Sequence, residues 1–159
     1  MIKEKPSGIP TANFRDEKDL PFAAMAEGIT FQVLDVNIAK DIWVTRMRFD
    51  PGVSIATHKH TGEVLAFTVS GAWKYREYPD IYRAGSYVHE PEGSTHTLET
   101  LKENQGVTDI IFINFGENIN YKPDGTVDYV MDARGILELY FKACKAEGLG
   151  EPKVLGAYP

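Results

Sequence analysis

Short β-branched and aromatic runs, each cut off by a glycine or proline turn, limit most strongly what this chain can fold into. The runs are ITFQVLDVN, DIWVTRMRF, VSIATHKH, EVLAFTVS, AWKYREY, SYVHE, THTLET, TDIIFINF and TVDYVMD. Turn residues separate them at Asp50-Pro51-Gly52, Ser70-Gly71, Tyr78-Pro79-Asp80, Ala84-Gly85 and Pro91-Glu92-Gly93. Many short strands at this spacing predict an all-β, antiparallel sandwich or barrel over residues 29–130, not a parallel sheet with crossover helices. The polar, proline-bearing residues 1–20 read as an N-terminal arm. One helix is predicted over 132–147: Asp132 offers an N-cap, Ile136, Leu137, Tyr140, Phe141 and Cys144 form an apolar stripe, and Gly148 stops it. The stripe should pack on the outside of the barrel, giving a single domain over 1–159.

The run EVLAFTVS is apolar at both parities. Val64, Ala66 and Thr68 point one way, while Leu65, Phe67 and Val69 point the other, where a simple barrel meets water. The arm, the helix or a second subunit must cover that face, and a homodimer or higher homo-oligomer is expected.

Charge excludes one class of partner. A net charge of -6 lacks the basic stripe that binds phosphates, so no nucleic-acid partner is expected. No apolar run approaches the ~20 residues of a membrane span, and the N-terminus has no signal-peptide core. The single cysteine, Cys144, forms no internal disulfide, and the expected location is the cytoplasm.

The chemistry lies in the histidines. His58 and His60 stand two apart on a predicted strand, so both imidazoles face the same side about 6 to 7 Å apart along the chain. Alone, such a pair is more often a solvated surface pair than a metal site. The surroundings change that. Five residues separate Gly52 from His58, and Gly71 closes the next strand. Further on, Gly85, Pro91, Gly93 and His96 recur at fixed offsets. Together these resemble the two motifs of the cupin superfamily, G-x5-H-x-H-x3-E-x6-G and G-x5-P-x-G-x2-H-x3-N.

The resemblance implies a cupin fold, a small double-stranded β-helix or jelly-roll barrel, with one metal ion on His58, His60 and His96. The motif glutamate is replaced by Val64, and Thr100 stands where the motif has Asn. Glu63 lies one residue early and so on the opposite face, unless a bulge at Thr61-Gly62 restores the register. A three-histidine site without a carboxylate is expected. Imidazole nitrogens suit Fe(II), Zn, Ni or Cu, so the residues alone do not choose among them.

Beyond the motifs, residues 57–99 and the segment FGENINYKPDGTVDYVMDARGILELY are similar to 2,4'-dihydroxyacetophenone dioxygenases and acetylacetone-cleaving dioxygenases. That similarity implies a non-haem Fe(II) dioxygenase of aromatic catabolism. Its substrates would be an aromatic hydroxyketone and O2, with 2,4'-dihydroxyacetophenone cleaved to 4-hydroxybenzoate and formate. Glu90 is the expected proton acceptor, since the relatives place a carboxylate at this offset just outside the metal's ligands. Tyr75, Trp73 and Val64 are candidate pocket residues, although residues such as Tyr75 and Trp73 more often belong simply to the core. Arg76 and Arg83 are expected at the surface, and His89 in a structural or surface role. Two rivals remain: a β-diketone dioxygenase, and a non-catalytic zinc cupin of the anti-sigma-factor type.

Overall fold

The computed structural model describes residue 8 and residues 10–157, so most of the expected arm before residue 10 lies outside the described residues. Six strands make the larger sheet: β1 (Ala23–Ala26), β2 (Ile29–Asn37), β3 (Ile42–Phe49), β11 (Thr108–Phe115), β5 (Val64–Ser70) and β8 (Tyr87–Glu90), paired in that order. A four-stranded sheet runs β13 (Val127–Met131), β12 (Asn118–Tyr121), β4 (His58–His60) and β9 (Thr95–His96). A three-stranded sheet joins β10 (Leu98–Thr100), β6 (Ala72–Tyr75) and β7 (Tyr82–Arg83). Every strand pair in these sheets is antiparallel. The architecture is the all-β cupin barrel with one C-terminal helix, α1 (Ala133–Glu147).

The run THTLET is not one strand. It breaks at Thr97, whose backbone N–H leaves the ladder to meet Glu77 Oε2 at 2.9 Å. The break sends His96 to β4 in one sheet and Leu98 to β6 in another. VSIATHKH also shortens, to His58–His60, because only these residues find partners on both sides. β1, β7 and β12 were not legible as strands; each is four residues or fewer and too short to show a period.

Inside the barrel, Phe49, Ala66, Trp73, Tyr75, Leu98 and Ile110 form one apolar cluster. A second cluster lies where α1 packs on β1 and β2, with Phe31, Val33, Ile136, Tyr140 and Cys144 at its centre. The helix starts and stops as its sequence dictates. Asp132 Oδ1 accepts the Gly135 N–H at 2.6 Å, and Gly148 turns into the left-handed region at φ +68°. Tyr140 donates to the Pro21 carbonyl at 2.6 Å, tying the helix to the chain that enters β1.

The outer face of β5 stays open. Phe67 and Val69 are 43% and 46% exposed, and Phe67 rests only partly on Tyr87, with ring centroids 5.1 Å apart. α1 covers the other end of the sheet, so within the described residues the helix is not the expected cover.

Ile136 is 2% exposed in the helix cluster. Ile136→Ala should therefore destabilise the chain by about 2–5 kcal/mol, read as a lower urea midpoint with unchanged slope.

Candidate metal centre

The three motif histidines meet because of strand register. His58 and His60 occupy alternate positions of β4, and His96 on β9 is the direct cross-strand partner of His58. Their rings are separated by 4.8, 5.1 and 5.0 Å between centroids, and one nitrogen from each lies within 4.8 Å of the others. All three are buried.

Two of the outer nitrogens are already engaged. His58 Nδ1 donates to the Ala56 carbonyl at 2.9 Å, and His60 Nδ1 donates to Asn118 Oδ1 at 2.7 Å. Asn118 is the register partner of His60 across β12. These bonds hold Nδ1 as the donor, so each of these two imidazoles, when neutral, keeps an Nε2 lone pair turned inward, and when protonated donates from Nε2 instead. His60 Nε2 and His96 Nε2 are 3.0 Å apart.

A carboxylate shares this space. Glu90, at the end of β8, places Oε2 at 2.7 Å from His60 Nε2 and 3.2 Å from His96 Nε2. Its other oxygen accepts a hydrogen bond from the Tyr75 hydroxyl. Tyr75 also stacks on His96, with centroids 3.8 Å apart and planes 19° from parallel. Buried lone pairs and a carboxylate facing one another demand a cation among them, either protons or a metal ion. The donor set of three imidazoles fits a divalent transition metal.

Burial would raise the Glu90 pKa, but hydrogen bonds from His60 and His96, and their charge, outweigh it and take it down to about 2. For His58, burial first and the neighbouring His60 second lower the pKa to about 4. The Tyr75 hydroxyl is pushed well above its ordinary value by burial and by the Glu90 charge, so it remains a donor.

Glu63 does not reach the cluster. It is half-exposed and bonded at 3.0 Å to His89, itself half-exposed. Gly62 explains why the turn is fixed: a Cβ there would stand 1.8 Å from the Phe115 carbonyl oxygen. The position facing the barrel interior belongs to Val64, as the strand period requires.

Beside the histidines is a cavity of about 60 Å³. Trp43, Thr45, Met47, Phe49, Ile55, Leu98, Phe112 and Asn114 line it together with His58, His60, Tyr75, Glu90 and Asn118. Two expected pocket residues do not contribute to this wall. Trp73 is turned into the core, its indole N–H donating to Thr68 Oγ1 at 2.8 Å and its ring packed on Tyr75 and Tyr82. Val64 is buried opposite Glu90 in the β5–β8 pair, outside the lining. Arg76 pairs with Glu99 at 2.7 Å on the surface, and Arg83 is exposed. The alternate residues of β3, Trp43, Thr45, Met47 and Phe49, were missed as pocket residues; their period of two along DIWVTRMRF was the available signal.

In the metal-free protein, His58 and Glu90 both bind fewer protons folded than unfolded, so acid favours unfolding. Stability should fall from pH 6.5 towards about 4 as His58 resists protonation, and further from 4.5 towards about 2 through Glu90. Thermal unfolding across that range, on chelator-treated protein, measures this. Replacing either group by a residue that does not titrate should flatten its part of the curve.

The family model described as the ChrR cupin-like domain matches residues 11–117. No curated protein matches the chain. A cupin-like protein of unknown function from Ralstonia eutropha JMP134 superimposes with a TM-score of 0.84 at 32% identity, over 99% of this chain and 98% of that one. An acetylacetone dioxygenase from Acinetobacter johnsonii superimposes at 0.72 with 18% identity, over 90% and 98% of the two chains. Rhodobacter sphaeroides SigE in complex with the anti-sigma ChrR matches at 0.50 with 15% identity, over 58% of this chain and 47% of that one. The last two likenesses speak for the fold alone. With its motifs, its barrel and the match over most of its length, the chain belongs to the ChrR cupin-like domain family of the cupin superfamily.

Proposed function

We propose that this protein is a non-haem Fe(II) dioxygenase that cleaves a C–C bond of a small enolisable ketone, with 2,4'-dihydroxyacetophenone as the first candidate. The observation that carries this reading is the convergence of three imidazole nitrogens, with an ionised Glu90 beside them, next to a mostly apolar cavity that His58, His60 and Glu90 line. His58, His60 and His96 would hold the iron. When bound, the ion supplies Lewis acidity and a template that gathers an anionic two-oxygen chelate and O2.

The chain's own groups do the rest. The Ala56 carbonyl and Asn118 hold two of the imidazoles in orientation. Glu90 accepts the proton that leaves the hydroxymethyl carbon as the ketone enolises, and Tyr75 holds that carboxylate through its other oxygen. The apolar wall of Trp43, Met47, Phe49, Leu98 and Phe112 keeps water from the reacting carbon. Atoms balance as one hydroxyketone plus one O2 giving 4-hydroxybenzoate and formate, with both oxygen atoms in the products.

Two features of the cavity bear on the substrate, and they pull apart. Thr45 Oγ1 is fully buried in the wall without a hydrogen-bond partner, close in register to Asn114. An unpaired buried hydroxyl favours a ligand with a polar far end, such as a phenol. The volume of about 60 Å³ is well below the roughly 150 Å³ that accepts a benzene ring, so an aryl substrate requires the wall to move. Size therefore favours the second reading, an aliphatic β-diketone such as acetylacetone. A third reading, a zinc-holding, partner-binding cupin of the anti-sigma type, draws on the family description.

Oxygen uptake by Fe(II)-loaded protein separates the three. Uptake with 2,4'-dihydroxyacetophenone, yielding formate and 4-hydroxybenzoate, is the expected result. Uptake with acetylacetone alone keeps the chemistry and changes the substrate, while tightly held zinc and no uptake with either favours the binding role. Separately, His96→Ala should lose stoichiometric metal, measured by elemental analysis after gel filtration, with the far-UV circular dichroism retained. Stoichiometric metal in that variant would sink the assignment.

A further inference from the structure

We propose that Glu90 is itself a ligand of the metal, making the centre three nitrogens and one carboxylate oxygen rather than three nitrogens alone. The inference rests on the reading of His58, His60 and His96 as a metal site, and it goes beyond the proton-accepting role given to Glu90 above.

Position comes first. In the antiparallel β5–β8 pair, Glu90 is the direct partner of Val64. Directly opposed residues on neighbouring strands project to the same face, with Cβ atoms about 4.5–5.5 Å apart. The neighbouring strand therefore brings a carboxylate to the interior location that Val64 leaves apolar.

Distances come second. Two ligands set at right angles, each about 2.1 Å from an ion, stand about 3.0 Å apart. The triangle of His60 Nε2, His96 Nε2 and Glu90 Oε2 has sides of 3.0, 2.7 and 3.2 Å. Those separations would suit three neighbouring ligands of a single ion.

The side of the ring decides the role. A carboxylate that merely orients a metal-bound histidine accepts from the nitrogen pointing away from the ion. For His58 and His60 those nitrogens are taken by the Ala56 carbonyl and Asn118. Glu90 instead meets His60 and His96 at Nε2, and for His60 this is the side that its Asn118 bond leaves for the ion. Tyr75 occupies Oε1, so Oε2 alone is presented and ligation is through one oxygen. At the end of β8, just before Pro91, the residue is 3% exposed. A divalent ion in this set carries a net charge of +1 rather than +2.

The test is a crystal structure of the Zn(II)-loaded full chain together with azide titration of Co(II)-loaded wild type and Glu90→Gln. The expected structure has Glu90 Oε2 within about 2.2 Å of the zinc. Azide should bind Glu90→Gln at least about tenfold more tightly, because the variant centre regains a full positive charge. Gln is nearly isosteric and its carbonyl oxygen still accepts from Tyr75, so the variant keeps the barrel. Zinc on three histidines with the carboxylate bonded only to a metal-bound water, or equal azide affinity in the two proteins, overturns the proposal while leaving the metal site intact. A wild-type chain that takes up no stoichiometric zinc overturns both the proposal and the metal-site reading.

Discussion

Everything chemical in this molecule depends on the register of a three-residue strand. β4 offers only His58, Lys59 and His60, yet it is paired on both sides. β9 sets His96 opposite His58, and β12 sets Asn118 opposite His60. A slip of one residue on β4 would turn Lys59 inward and both imidazoles out. The close packing that forbids it is visible at the next turn, where Gly62 lies against the Phe115 backbone with no room for a side chain. Local chain geometry and the convergence of the imidazoles are thus the same constraint, expressed at different lengths.

Burying three imidazoles and a carboxylate together is costly, and their arrangement shows how the cost is met. Two outer nitrogens are satisfied by a carbonyl and an amide, and one carboxylate oxygen by the Tyr75 hydroxyl. What remains unsatisfied points to one place. The apolar cluster behind Tyr75 holds that residue over His96, so the core of the barrel supports the polar group it surrounds.

Much of this was legible in the amino-acid order, and the limits have physical reasons. The long strands, the helix with its Asp132 and Gly148 ends, and the histidine triad followed from period, caps and motif spacing. Trp73 stood between core and pocket because an aromatic residue on a barrel strand has two buried destinations and parity does not separate them; its bond to the Thr68 hydroxyl places it in the core. Asn118 escaped notice because its role depends on a cross-strand partner 58 residues away. The break at Thr97 was invisible for a similar reason, since it depends on the Glu77 side chain arriving from another loop.

The cavity wall and the imidazoles come from different parts of the fold. β3 contributes Trp43, Thr45, Met47 and Phe49 from the larger sheet, whereas β4 and β9 carry the histidines in the four-stranded one. β3 is flanked on both sides by β2 and β11, so its backbone is fixed whichever side chains it bears. Substitutions at its four inward positions can reshape what the barrel admits without moving a histidine. Such a scaffold can change the shape of its cavity over evolutionary time while its histidine cluster is inherited unchanged.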